Sequence, residues 1–147
     1  MRISFFGHAD FNGSEELEYR LISIIKGYTD VQDCEFLFGG YGRFDDFAFN
    51  CVSKITSPFA IQKTFVTPYI TESYQRNQLE HKKLKYDMII YPEIEKVPYR
   101  FAISERNKWI VEQSDIVISY VNHRYGGAYS IYSYAKRRKP TFNLGTL

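Results

Sequence analysis

No apolar run in the sequence approaches the ~20 residues that a bilayer-spanning helix needs. The opening string MRISFFGHADF has only a short apolar stretch cut off by Gly7, less than the 7–15 residues or so at the centre of a secretory signal. No membrane partner is expected, and a cytoplasmic location is. Cysteine is also scarce. Cys34 and Cys51 lie inside apolar patterns, without a neighbouring Cys or His at ligand spacing. A disulfide framework and a metal site are both excluded, and two reduced core thiols are expected. Charge of one sign is missing too, since the formal net charge is +2. That balance argues against strong duplex binding, and the basic runs His81-Lys82-Lys83 and Lys136 to Lys139 read as solvated faces, so nucleic acid is not expected as a partner.

What is abundant is aromatic surface. Aromatic residues make up 18% of the 147 residues, with 13 Tyr and 12 Phe. Hydrophobic residues at 44% and charged residues at 24% are the mix of a folded chain, and this length fits one domain over residues 1–147. Some aromatics must fill the core. Others remain for stacking at the surface, where they suggest a homodimer or a higher homo-oligomer.

Strand and helix signals alternate along the chain. Arg2 to Phe6 is a β-rich run stopped by Gly7. Ser14 then caps a helix whose first turn is acidic and whose stripe is Leu17, Leu21, Ile24 and Ile25. Cys34–Phe38 is a second strand, followed by Gly39-Gly40-Tyr41-Gly42 and a helix with Phe44, Phe47, Ala48, Cys51 and Val52 on one face. Ala60–Thr67 is a third strand. Residues 68–100 carry Tyr69, Tyr74, Tyr86, Tyr91 and Tyr99 between prolines, and read as an irregular insertion with one short strand at Met88–Ile90 and room for one short helix. A helix over 101–114, a strand over Asp115–Val121, a helix after Gly126-Gly127 and a strand over Pro140–Leu144 complete the pattern. The alternation predicts an α/β fold: Rossmann-like, doubly wound, with a mostly parallel sheet and helices on both faces. Ligands of such sheets sit beyond the carboxyl ends of the strands.

Three strand-end turns therefore hold the candidate site. Gly7-His8-Ala9-Asp10 is the first, with a Gly where the chain leaves the sheet and a His and an Asp able to face a ligand. The second, GGYGRFDD, supplies Gly39, Gly40 and Gly42, which let a ligand approach closely, and a helix N-terminus that favours an anion. It is neither a Walker A loop nor a GxGxxG turn. Asp45 and Asp46 there are equally ordinary first-turn residues, or one faces a ribose hydroxyl. The third turn, Asn122 to Ser130, repeats the design with Gly126-Gly127. On the helix of 101–114, Arg106 and Asn107 interrupt an apolar stripe, so the charge needs either a bound anion or a carboxylate such as Asp45, Asp46 or Glu105.

Together GGYGRFDD, Glu105-Arg106-Asn107, SDIVISYVNH and YGGAYSIYSYAKRRKPTFNL resemble the SLOG superfamily of Rossmann-like proteins. That superfamily includes the LOG-type phosphoribohydrolases and the DNA-processing Smf proteins. The resemblance covers the chain outside residues 68–100, and extends distantly to the nucleoside 2-deoxyribosyltransferases, whose tail Tyr134-Ala135 matches. It implies a ligand with a ribose-phosphate part, held by the glycine turns and by a helix Arg, which Arg106 matches. It also exposes a gap. Where the phosphoribohydrolases and deoxyribosyltransferases carry a catalytic Glu, this sequence has Ser130 or Ile131, depending on register. A carboxylate stabilises the oxocarbenium-like state of N-glycoside cleavage, and neither Ser nor Ile does.

The leading expectation is therefore a sensor or sequestering module that binds a nucleotide or nucleotide-derived, ADP-ribose-like ligand. Its expected contacts are Gly7, His8, Gly39, Gly40, Gly42, Asp45, Arg106, Asn107, Asn122, Gly126, Gly127 and Ser130, with no cofactor and no metal. The alternative is an N-glycoside hydrolase or transferase acting on nucleotides, with Asp45, Asp46 or Glu105 supplying the carboxylate.

Overall fold

A computed structural model describes residues 1–147. Six strands form one sheet: β1 (Arg2–Gly7), β2 (Cys34–Phe38), β3 (Ile61–Val66), β4 (Met88–Ile90), β5 (Ile116–Tyr120) and β6 (Thr141–Asn143). Their order is β4-β3-β2-β1-β5-β6, and every neighbouring pair is parallel. The order reverses at β1, so the switch point lies between β1 and β5.

Six helices connect the strands: α1 (Glu15–Thr29), α2 (Arg43–Ser53), α3 (Glu72–Tyr74), α4 (Glu80–Lys85), α5 (Ala102–Gln113) and α6 (Gly126–Lys136). α1 starts where Ser14 accepts the Leu17 amide at 3.2 Å, with Glu15, Glu16 and Glu18 in its first turn. Alternate strand residues serve two cores. On one face Phe5 stacks between Phe36 and Phe38, and Leu21, Ile25, Phe44 and Val52 close over them from α1 and α2. On the other, Phe6, Leu37, Val66 and Val117 meet Ile110 and Val111 of α5 and Ile131 and Ala135 of α6. Each fully buried aliphatic or aromatic side chain contributes roughly 1.5–3 kcal/mol of transfer free energy, so neither face can be left open. Cys34 and Cys51 are free and buried in the first core.

The segment 68–100 is more regular than the sequence suggests. α3, a π-helical turn over Gln75–Leu79 and α4 run on continuously from Glu72 to Lys85 and lead into β4. Leu79 is its one buried residue. The stretch thus has no apolar stripe, and the wider π turn breaks the 3.6-residue period that a sequence reading relies on.

Candidate functional site

A cavity of about 320 Å³ opens at the carboxyl ends of β1 and β2, beside the switch point. It gathers residues from all three glycine turns and from α5: Gly7 and His8, Gly39 and Asp45, Gly127, and Arg106 with Asn107. Tyr41, 82% exposed, stands at its mouth.

The second turn is held from three directions. Asp45 Oδ2 accepts the Gly40 amide at 2.7 Å, Lys82 Nζ of α4 donates to the Gly40 carbonyl at 3.1 Å, and Arg106 Nη1 donates to the Gly39 carbonyl at 3.0 Å. Gly40 has φ +72°, and a Cβ there would lie 2.4 Å from the Phe65 ring. Only glycine fits. The Gly40 amide is consequently spent on the protein's own carboxyl, which occupies the position an external anion would take.

Asp45 is the one carboxyl of the three candidates that lines the cavity. It is 7% exposed, and burial pushes its pKa up to about 7 against the opposing pull of the Gly40 amide and then of Arg106. Asp46, next along α2, points to solvent and pairs with Lys85 at 3.3 Å. Glu105 pairs with Lys108 at 3.4 Å. The structure does not bring the three together.

Arg106 is 3% exposed and has no carboxylate partner. Its Nη1 bridges the Gly39 and Val66 carbonyls, at 3.0 and 2.7 Å, and its Nε donates to Asn107 Oδ1 at 2.8 Å. Nη2 donates to no protein atom, and the residue lines the cavity. The guanidinium therefore ties the ends of β2 and β3 together and leaves one nitrogen for a ligand.

The third turn is open. α6 begins without a side-chain cap, Gly126 has φ +89°, and a Cβ at Gly126 or Gly127 would meet nothing within 4 Å. The unpaired amides of an 11-residue helix thus face free space next to the cavity. Ile131, one turn on, lines the cavity, while Ser130 is exposed and does not. The cavity-facing position of α6 is apolar in this protein.

His8 is 6% exposed. Its Nε2 accepts the Asn122 amide at 3.2 Å, and its ring stacks on His123 with centroids 3.6 Å apart. Burial, and then His123, lower its pKa, while Asp10 raises it. Asn122 thus reaches the site through its backbone. Gly42 serves as the α2 N-cap at φ +95°, where a Cβ would lie 3.0 Å from the Ala9 backbone, and Gly40, Gly42, Asn122 and Gly126 do not line the cavity. Asp10 of the first turn lines the cavity as the sequence suggested, whereas Tyr41 and Ile103 line it without having been anticipated. Tyr41 had a signal, since it stands inside the glycine turn.

A second groove, of about 300 Å³, lies on another face of α6, between Arg124, Tyr129, Tyr132, Lys136 and Arg137. None of its three cations forms an ion pair. The sequence has no Asp or Glu anywhere from Ile116 to Leu147, the segment that supplies every residue of this groove.

No protein-family model matches the sequence, and no curated protein matches it. Solved structures do share the fold. DNA processing protein A of Helicobacter pylori, described for its single-stranded DNA binding mode, superposes with a TM-score of 0.63 at 17% identity, over 97% of this chain and 64% of that one. DNA processing protein A of Streptococcus pneumoniae gives 0.63 at 14%, over 97% and 49%. The molybdenum cofactor carrier protein of Chlamydomonas reinhardtii gives 0.59 at 14%, over 99% and 77%. At these identities the likeness shows a Rossmann-like α/β fold. The chain spans 64% and 49% of the two DNA-processing proteins.

One expectation is overturned. Nucleic acid was set aside because the net charge is close to neutral, yet a protein of this fold is described by its single-stranded DNA binding. A net charge of +2 conceals an uneven distribution along the chain, since residues 116–147 carry five Lys or Arg and no Asp or Glu. No helix is long and apolar enough to cross a membrane.

Proposed function

We propose that the protein is a SLOG-type binding module for a nucleotide or nucleotide-derived ligand of the ADP-ribose kind, with the ligand's phosphate seated at the N-terminus of α6. The observation that carries this reading is the uncapped Gly126-Gly127 helix start, which opens beside a cavity that also holds the free Nη2 of Arg106. Helix amides and a guanidinium nitrogen together suit a phosphate. The unoccupied oxygen of Asp45 suits a ribose hydroxyl, and exposed Tyr41 offers a face for a base. Ile131 in place of a carboxylate favours retention of the ligand over N-glycoside cleavage.

The test is a thermal-shift panel of AMP, dAMP, ADP-ribose, NAD, cyclic nucleotides and free bases. A phosphorylated ligand at 100 times its dissociation constant adds roughly 2.7 kcal/mol, or about 5–10 °C at this chain length. Free bases should leave the melt unchanged. A panel in which no phosphorylated compound shifts the melt contradicts the reading. The best ligand is then assayed for base release, which separates binding from hydrolysis.

A second reading, a single-stranded nucleic acid partner, is favoured by the groove of Arg124, Lys136 and Arg137 with Tyr129 and Tyr132. Cations for phosphates and tyrosines for unstacked bases are the groups such a strand needs. Binding of a labelled oligothymidine that weakens with salt, and that is lost in Lys136→Glu/Arg137→Glu, supports it. Absence of binding at low salt rules it out.

A further inference from the structure

The turn that carries the α6 helix start is tethered almost nowhere. Among the backbone amides of Asn122, His123, Arg124 and Tyr125, only that of Asn122 has a partner, and the partner is His8 Nε2. An imidazole nitrogen that accepts a hydrogen bond carries no proton. His8 is thus neutral in this arrangement, with its proton on Nδ1, and Nδ1 has no protein partner beside the cavity.

We propose that His8 is a positioning residue for the α6 anion site, holding the β5–α6 turn through the Asn122 amide only while its Nε2 is unprotonated. The inference rests on the reading of that turn as the phosphate seat. Protonation puts an N–H on Nε2 and opposes it to the Asn122 N–H, two donors face to face, so the tether is lost. It also places a cation against the His123 ring 3.6 Å away.

The other groups facing His8 are few. Asp10 on its own loop favours the charged form, and His123 opposes it from the β5–α6 turn. Tyr125 stacks behind His123 at 4.1 Å. Across the cavity stand Asp45 and Tyr41 from the β2–α2 turn and Arg106 from α5. Burial is the largest influence on His8 and holds its pKa below the ordinary histidine value, so the turn is engaged at neutral pH.

The experiment uses the free 147-residue chain and needs no ligand. Backbone amide and histidine ring resonances are followed by NMR from about pH 7.5 to about pH 5. The amides of Asn122, Gly126 and Gly127 should move with the same midpoint as the His8 ring, while α1 amides remain still. In His8→Gln, whose side-chain oxygen can accept the same amide, the turn should hold its position and stop responding to pH. In His8→Phe, which keeps the ring packing but has no acceptor, the three amides should sit at their low-pH positions throughout. The proposal is overturned if His8 titrates without them, if His8 does not titrate in this range, or if His8→Phe leaves them where the wild type has them. Failure here leaves the thermal-shift result for AMP or ADP-ribose standing, and failure there leaves this titration intact.

Discussion

Asp45 closes the β2–α2 turn with its own carboxyl, accepting the Gly40 amide at 2.7 Å from a position with almost no access to water. The glycine turn that looks most like an anion cradle therefore contains an internal acid. The turn at Gly126-Gly127 has no such group, and its helix starts without a side-chain cap.

A raised carboxyl pKa has a definite sign for stability. The folded state holds the proton up to about pH 7, whereas an unfolded Asp releases it near 4. Between those values the native state binds more protons, so stability falls as pH rises. The loss is on the order of 2–4 kcal/mol across that window. Asp45→Asn retains an acceptor for Gly40 and has no charge to bury. Its melting temperature relative to wild type should climb by several degrees between about pH 5 and about pH 8. A difference that stays flat with pH would show that Asp45 ionises freely.

Arg106 is structural as well as cavity-lining. Arg106→Ala strands the Gly39 and Val66 carbonyls behind a cavity, and should cost about 3 kcal/mol in denaturant unfolding. Stability close to wild type would mean that the two carbonyls find water without it. The loss makes this variant a poor test of binding on its own.

Tyr86 carries a buried hydroxyl without a partner, among Phe38, Phe49 and Phe65. Tyr86→Phe removes an unsatisfied group and leaves the packing in place, so it should be neutral or stabilising by up to about 1 kcal/mol. A clear destabilisation would reveal a partner for that hydroxyl.

Much of the fold was legible, for identifiable reasons. β1, β2 and β5 are buried on both faces and read as near-continuous apolar runs, and α1, α2 and α6 show one-sided stripes. The run from Glu72 to Lys85 was not, because Leu79 alone is buried in it and a π turn shifts the phase. The site shows the same division. Its glycine turns and the misplaced charge of Arg106 stand out in the sequence. The sequence could not separate Asp45 from Asp46, neighbours that differ by about 100° around the helix, one facing the cavity and the other solvent. Nor could it show that Arg106 meets carbonyls in place of a carboxylate. The basic run from Lys136 to Lys139 was visible in the residues, and reading it as a solvated face set it aside.

The most direct test is calorimetric titration of wild type and Gly127→Asp with AMP, ADP-ribose and adenosine. A side chain at Gly127 meets open space, and a carboxylate in the first turn of α6 should stabilise the helix by about 0.5 kcal/mol, so the variant should fold. The same carboxylate would occupy the phosphate seat. A phosphate seat at the α6 N-terminus predicts that AMP or ADP-ribose binds wild type at least about tenfold more tightly than adenosine, a difference of roughly 1.4 kcal/mol, and that Gly127→Asp abolishes this preference. Equal binding of adenosine and its phosphorylated forms, or an undiminished preference in Gly127→Asp, would contradict it.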